Sequence, residues 1–326
     1  MNSGSIVLTF ANIAKKMRNV FESFNDPRTG KNKKYSVVDA ALSAFSIFFV
    51  QSPSFLEYQN SLKQTHGKNN AQNMFGAHKT PSDNQIRTLL DATHPETVSP
   101  MFSYFFNILD AAGIIAQQRS KVGLLVAFDG VEYFSSNTIH CENCSTKEHS
   151  NGTTSYHHTA VTPVIVKPGS DKVIPLMPEF VSPQDGAEKQ DCEINAAKRW
   201  LAIHGKEFAK RNTVILGDDL YSHEPFCRNL LELGLNFIFV CKPTSHSTTQ
   251  EWLEYLQNSA SIQEFTRRRW TGKKHEIDTY RYIEAVPLRD GKDALMVNWC
   301  EITTTDKNGN VLYHNTFVTS HDFEAC

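Results

Sequence analysis

Apolar residues recur at helical spacing through the first third of the chain. After the turn signal Pro27-Arg28-Thr29-Gly30, Ser36 is placed to cap a helix that continues apolar to Phe49, and Pro53 stops it. Pro81-Ser82-Asp83 opens a second helix, in which Ile86, Leu89 and Leu90 share a face with Arg87 beside them. A third apolar helix is expected from Val98 to Ala112. Lys63 to Asn73 is polar and reads as an exposed, mobile loop. Residues 1–115 are therefore expected to form a helical N-terminal domain.

At Val122 the pattern changes to a continuous apolar run of strand length, Val122 to Phe128, which ends on Asp129-Gly130. Two further strands are expected over Tyr156 to Val166 and Val173 to Val181, joined by the turn Pro168-Gly169-Ser170-Asp171. Helical spacing returns from Ala187 to Ala209, with Ile194, Ala197, Trp200, Leu201 and Ile203 as its apolar set. Thr213 to Gly217 is another buried strand ending on acid, Asp218-Asp219, followed by a helix over Glu224 to Leu233 and a strand over Phe237 to Val240. Beyond Lys242 come a helix near Glu251 to Leu256 and alternating strands over Asp278 to Val286, Leu295 to Thr304 and Val311 to Thr319. The expected division is a core over 116–247 and a β-rich insertion over 248–326.

Composition adds limits. A chain of 326 residues, 40% apolar and 21% charged, can bury a sizeable core and excludes wholesale disorder. With 33 basic against 35 acidic residues, any nucleic-acid surface must be local. The most apolar run, Val37 to Val50, carries Asp39 and is shorter than the roughly 20 residues a membrane span needs. Without a secretory signal pattern the expectation is a cytoplasmic protein, and seven scattered cysteines are expected to be free thiols.

The order of three strands, helix, strand, helix, strand is that of a ribonuclease-H-like α/β core, a mixed sheet with helices on its faces. In that arrangement the strands ending at Asp129 and Asp218 are neighbours. Either acid alone is ordinary turn chemistry. Together they form a pair that repels unless cations fill the gap. An oxygen-rich, partly open site suits Mg²⁺ or Mn²⁺, and two such ions roughly 4 Å apart can activate a nucleophile and stabilise the leaving oxygen of a phosphodiester. Asp219 competes with Asp218 for this role and is kept as a supporting acid, as is Glu193 on the intervening helix.

Several separated motifs carry a resemblance. Phe128 to Ser136, the Cys/His block that follows, Gly186 to Glu193 and Gly217-Asp218-Asp219-Leu220-Tyr221-Ser222 resemble the acidic-triad (DDE) transposases of bacterial insertion sequences. Asp26-Pro27-Arg28 and Pro81 to Arg87 extend that resemblance over nearly the whole chain. It implies that Asp129 and Asp218 bind two catalytic Mg²⁺ or Mn²⁺ ions, with a Glu on a late helix completing the triad. No residue here matches that Glu: the last strand is followed only by a few residues to Cys326, Glu324 is too close to the strand, and Glu284 and Glu301 lie in strand patterns. The chain is therefore expected to be a truncated transposase that cuts DNA weakly or not at all by itself. Its implied partners are terminal inverted repeats, target DNA and a second copy of the chain, at the nucleoid. Two alternatives keep the same fold, a non-catalytic DNA-binding remnant and a ribonuclease-H-like nuclease.

His140-Cys141-Glu142-Asn143-Cys144 with His149, His157 and His158 has the spacing of a tetrahedral zinc site. Cys141, Cys144 and His149 are the best ligands, with His140 or His157 as the fourth; a polar loop without metal is the alternative. For DNA contact, Arg267, Arg268, Arg269, Trp270, Lys273 and Lys274 combine charge with an aromatic, and Lys15, Lys16, Arg18, Arg28, Lys31, Lys33 and Lys34 form a second basic cluster. Arg87 with Asn84 and Gln85 would begin a recognition helix, although capping accounts for the same residues.

Overall fold

The computed structural model describes residues 9–31, 33–63, 71–77, 79–182, 191–258 and 261–323. The chain divides into two compact units, Met1–Ile115 and Ala116–Cys326.

The first unit is helical. Helices α1 (Phe10–Phe21), α2 (Val37–Phe49), α3 (Phe55–Lys63), α4 (Asp83–Leu90) and α5 (Ser99–Ala111) are joined by a π turn over Ala71–Phe75 and a 3₁₀ turn over Pro95–Val98. Thr9 and Ser36 cap α1 and α2 by accepting backbone N–H bonds through their hydroxyls. Met17, Phe21, Ala41 and Leu42 form one buried cluster, and Val37, Ala40, Ile86 and Leu89 another, so α2 presents apolar residues on two faces. Of the expected loop over Lys63 to Asn73, residues 64–70 lie outside the described chain. A short helix, α6 (Ile114–Gln117), carries the backbone across the division.

The second unit is mixed α/β, built on a nine-stranded sheet. Its elements are β1 (Leu124–Ala127), β2 (Gly130–Ser136), β3 (Ser145–Glu148), β4 (Thr154–Val161), β5 (Val164–Val166), β6 (Ile174–Pro175), β7 (Glu179–Val181), α7 (Glu193–Ala209), β8 (Thr213–Gly217), α8 (Glu224–Glu232), β9 (Asn236–Val240), α9 (Ser247–Asn258), β10 (Gln263–Trp270), β11 (His275–Pro287), β12 (Met296–Asp306) and β13 (Val311–Thr319). The large sheet runs β10-β11-β12-β13-β9-β8-β1-β5-β6. At its centre β1, β8 and β9 are parallel, as helical crossovers require, while β5 pairs antiparallel with β1, β6 with β5, and β13, β12, β11 and β10 each with the strand before it in the sheet order from β9. The β-rich segment expected after residue 248 therefore extends the core sheet through β13 and β9, where Phe317 pairs with Val240.

Several details depart from the sequence expectation. The single strand expected over Val173 to Val181 is two, β6 pairing with β5 in the large sheet and β7 pairing with β4 in a second sheet. The strand expected over Tyr156 to Val166 breaks at Thr162-Pro163, because Pro163 has no N–H to continue a ladder, and its first part, β4, joins that second sheet with β2, β3 and β7. Ile203, expected in the buried stripe of α7, falls at its rim and is 71% exposed, whereas Ala196, Ala197, Trp200, Leu201 and Phe208 are buried. Trp200 meets Phe128 edge-on with ring centroids 5.2 Å apart and donates its indole N–H to the Met177 carbonyl. This aromatic packing supports the end of β1, where the candidate chemistry lies.

Candidate carboxylate site and the neighbouring Cys/His cluster

In-register pairing brings the two strand-tip aspartates together. Ala127 of β1 pairs with Leu216 of β8, and the Phe128 N–H donates to the Leu216 carbonyl, so Asp129 and Asp218 follow matched positions on adjacent parallel strands. Neighbouring strands lie about 5 Å apart, and both acids are exposed. Glu193, the first residue of α7, is the third carboxylate. A Cβ on Gly130 would lie 2.1 Å from Glu193 Oε2, so the absence of a side chain at Gly130 admits this carboxylate beside Asp129.

Tyr221 joins the three acids. Its hydroxyl donates to Glu193 Oε1 at 2.7 Å. Burial, and then the charges of Glu193, Asp218 and Asp129, push its ionisation far above the ordinary tyrosine range, so it remains a donor. Gly217 makes room for its ring, since a Cβ there would lie 2.7 Å from Tyr221 Cδ2. Tyr221→Phe is expected to cost about 1.5–3 kcal/mol, the range for a hydrogen bond to a charged group, measured by urea unfolding.

Among the described residues no Lys, Arg or His forms an ion pair with Asp129, Asp218 or Glu193. Three uncompensated carboxylates make an all-oxygen donor set of the kind that hard divalent cations take. Their oxygens do not converge within 4.8 Å as a set. The arrangement is therefore open.

The start of α7 is fixed by a buried network. Asp191 has a fully buried side chain; Arg199 donates to its Oδ1 at 3.2 Å and Oδ2 at 2.9 Å, and also to Glu179 at 2.8 Å and the Phe180 carbonyl at 2.8 Å. The Ser182 N–H donates to Asp191 as well. Two residues before Glu193, this clamp ties the helix to β7. Gly186 to Gln190, the earlier part of the same motif, lies outside the described residues.

Asp219 has a different role from Asp218. It is buried, accepts the Lys242 N–H and lies 3.7 Å from His246 Nε2, which is hydrogen-bonded to Ser222 Oγ at 2.6 Å. Burial and the adjacent His223 push the His246 pKa down, so the neutral ring locks the turn after β8 to the end of β9. Asp218 caps that turn by accepting the Leu220 N–H at 3.0 Å. Of the other acids weighed, Glu301 is bonded to Arg281 at 2.7 Å and to His314 at 3.0 Å, Glu284 lies on β11 in the annex, and Glu324 is outside the described residues.

The Cys/His block requires a correction. Cys141 Sγ and Cys144 Sγ are 3.9 Å apart and each is 3.4 Å from His158 Nε2, whereas His149 is bonded through Nε2 to Ser155 Oγ at 2.9 Å and takes no part. His140 stacks on Tyr156 with centroids 4.3 Å apart, and neither it nor His157 joins the group. The reason is the β3–β4 hairpin. It turns at Asn151-Gly152 and pairs Ser145 with His157, bringing His158 back beside Cys144. The Asn-Gly dipeptide was the available signal for this fold-back.

The basic clusters are partly spent on structure. All of β10 is exposed, Trp270 is 57% exposed, and among the described residues no acid pairs with Arg267, Arg268 or Lys273. Arg269, however, bridges Glu276 at 2.8 Å and Asp278 at 3.2 Å, and Lys274 lies 3.9 Å from Glu276. In the helical unit, Arg18 donates to the Gly76 carbonyl, Arg28 and Lys33 pair with Asp26, and Lys16 and Lys34 lie over Tyr104 and Tyr35. Arg87 pairs with Asp83 while Gln85 completes the Ser82 capping box, so helix stabilisation occupies the residues expected at the start of a recognition helix. Among the described residues no helix is long and apolar enough to cross a membrane.

No protein-family model matches the chain, and no curated protein matches it either.

Proposed function

We propose that the second unit is the catalytic core of a DNA transposase of the acidic-triad kind, with a ribonuclease-H-like fold and a divalent-ion site made by Asp129, Asp218 and Glu193. The observation that carries this reading is the matched placement of Asp129 and Asp218 on adjacent parallel strands, with Glu193 beside them and no cationic side chain paired to any of the three among the described residues. The mixed sheet order supports it, because β5 flanks β1 antiparallel with β6 antiparallel beyond it, while β8 flanks β1 parallel with β9 parallel beyond it. When bound, Mg²⁺ or Mn²⁺ supplies nucleophile activation and stabilises the leaving oxygen of the phosphodiester. Asp129 and Asp218 hold and orient the ions from the rigid strand ends. Glu193 does so from the helix, its second oxygen fixed by the Tyr221 hydroxyl. In this reading Glu193 takes the place of the late-helix Glu that the family resemblance implies and that no residue of this chain matches.

The substrate is DNA, held along the exposed strand β10 by Arg267, Arg268 and Lys273 with Trp270 available for stacking; two DNA ends imply two copies of the chain. Arg267→Gln with Arg268→Gln is expected to weaken binding to duplex ends and to lower the slope of log affinity against log salt by about 2, read by fluorescence anisotropy. Arg269→Gln should act mainly on stability, since its guanidinium is committed to Glu276 and Asp278.

The decisive experiment incubates the purified chain with DNA carrying the element's ends in Mg²⁺ or Mn²⁺ and compares Glu193→Gln with the parent. Metal-dependent nicking lost in that variant supports the assignment. Nicking untouched by it removes Glu193 from the site. DNA binding without any nicking favours a non-catalytic remnant.

A further inference from the structure

In the small sheet of β2, β3, β4 and β7, Ala160, Val161 and Val181 on β4 and β7 are buried, but the β2 and β3 strands have little apolar burial to hold them. Every residue of β3 after Ser145 is exposed, and β2 is exposed or half-buried along its length. Yet the loop after β2 returns to this sheet through Cys141 and Cys144. Small, weakly cored elements commonly depend on a metal or disulfide staple.

The geometry points to a bound Zn²⁺ held by Cys141 Sγ, Cys144 Sγ and His158 Nε2 as the staple of this sheet. Zinc at about 2.3 Å from sulfur and about 2.0–2.1 Å from nitrogen, with tetrahedral angles, sets ligand separations of about 3.8 Å between sulfurs and about 3.5 Å from sulfur to nitrogen. The observed separations are 3.9 Å between the sulfurs and 3.4 Å from each to the ring nitrogen. Among the described residues this is the one group of three Cys, His, Asp or Glu ligand atoms lying within 4.8 Å of one another.

The surroundings fit the ion. The Cys141 N–H donates to Cys144 Sγ at 3.3 Å and fixes the position of that sulfur. Tyr133 stacks on the His158 ring, with planes 10° apart and centroids 5.7 Å apart, and orients it. Binding converts both thiols to thiolates and releases two protons to solvent. The ion then ties the 137–144 loop to β4. The same strand pairs with Gly130 and Val131 next to Asp129, so the staple braces the backbone beside the carboxylates. This inference does not depend on the DNA-processing reading.

The test uses the full chain purified without chelator. Metal analysis is expected to find about one zinc per chain, and replacement by Co²⁺ is expected to give the sulfur-to-cobalt charge-transfer bands and intense visible bands of a tetrahedral thiolate site. Cys141→Ser and His158→Gln should each lose the metal, while His149→Gln should keep it. Chelation of the parent should lower its Tm by several degrees, reversed by added zinc, so the staple can be judged even if a variant misfolds. Three results would overturn the proposal: a metal-free parent that shows no cobalt bands on titration, a Cys141–Cys144 disulfide in its place, or loss of zinc in His149→Gln with retention in His158→Gln.

Discussion

Asp218→Asn is expected to abolish Mg²⁺-dependent DNA nicking, by roughly 10³-fold or more, while leaving the fold intact. Removing a metal-holding carboxylate forfeits several kcal/mol of transition-state charge stabilisation, and each 1.36 kcal/mol is about tenfold in rate. Asparagine separates this loss from any effect on folding. Asp218 caps the 3₁₀ turn over Asp219–Ser222 through one oxygen, and Asn caps as well as Asp does. Unfolding curves of parent and variant should therefore nearly coincide, within about 0.5 kcal/mol. Asp129→Asn should behave alike, since the hydrogen bonds at this residue use its main-chain carbonyl, which accepts from the Thr162 N–H and hydroxyl. Mn²⁺ affinity, followed by electron paramagnetic resonance, should fall in both variants. Unchanged nicking in either one would refute the carboxylate site, and the transposase reading with it.

The second large effect is on stability. Asp191→Ala is expected to cost about 2–4 kcal/mol, measured by denaturant unfolding, because it leaves Arg199 without its bidentate partner. The value sits below that of a fully buried pair because the Arg199 side chain is 31% exposed, and solvent screens what remains. The pH dependence has a definite sign. Burial opposes ionisation of Asp191, but hydrogen bonds from Arg199, Ser182 and Cys192 outweigh it and hold its pKa below the ordinary carboxyl value. A depressed carboxyl contributes stability above its unfolded pKa, about 3.9, and loses it as pH falls through the lower folded value. Asp191→Asn should thus be less stable than the parent at neutral pH, and the difference should shrink below about pH 4. A gap that stays constant down to pH 2 would assign the network a packing role only.

Much of the carboxylate site was legible in one dimension. Apolar runs that stop abruptly on acid, Val122 to Asp129 and Thr213 to Asp218, announce strands with carboxylates at their tips, and the intervening helical pattern fits the crossover that makes β1 and β8 parallel. Which acids act together was not legible. Asp218 and Asp219 are adjacent in the chain, yet one faces the site and the other is buried against Lys242 and His246, because the turn after β8 sends successive side chains to opposite sides. Glu193, only a supporting acid in the sequence, owes its position beside Asp129 to Gly130 and Tyr221.

The sequence by itself determined what is periodic and local: the helical first unit, the buried strands and the acids at their ends, and the Cys-x-x-Cys pair. The tertiary structure decided what depends on register and on return of the chain. Hairpin pairing of Ser145 with His157 exchanged His149 for His158, and Arg269 and Arg87, basic in composition, proved to be tied to neighbouring acids. Hydrophobic periodicity is written along the chain because each residue meets solvent or core one at a time. Partnership between side chains depends on distances that only the closed fold sets.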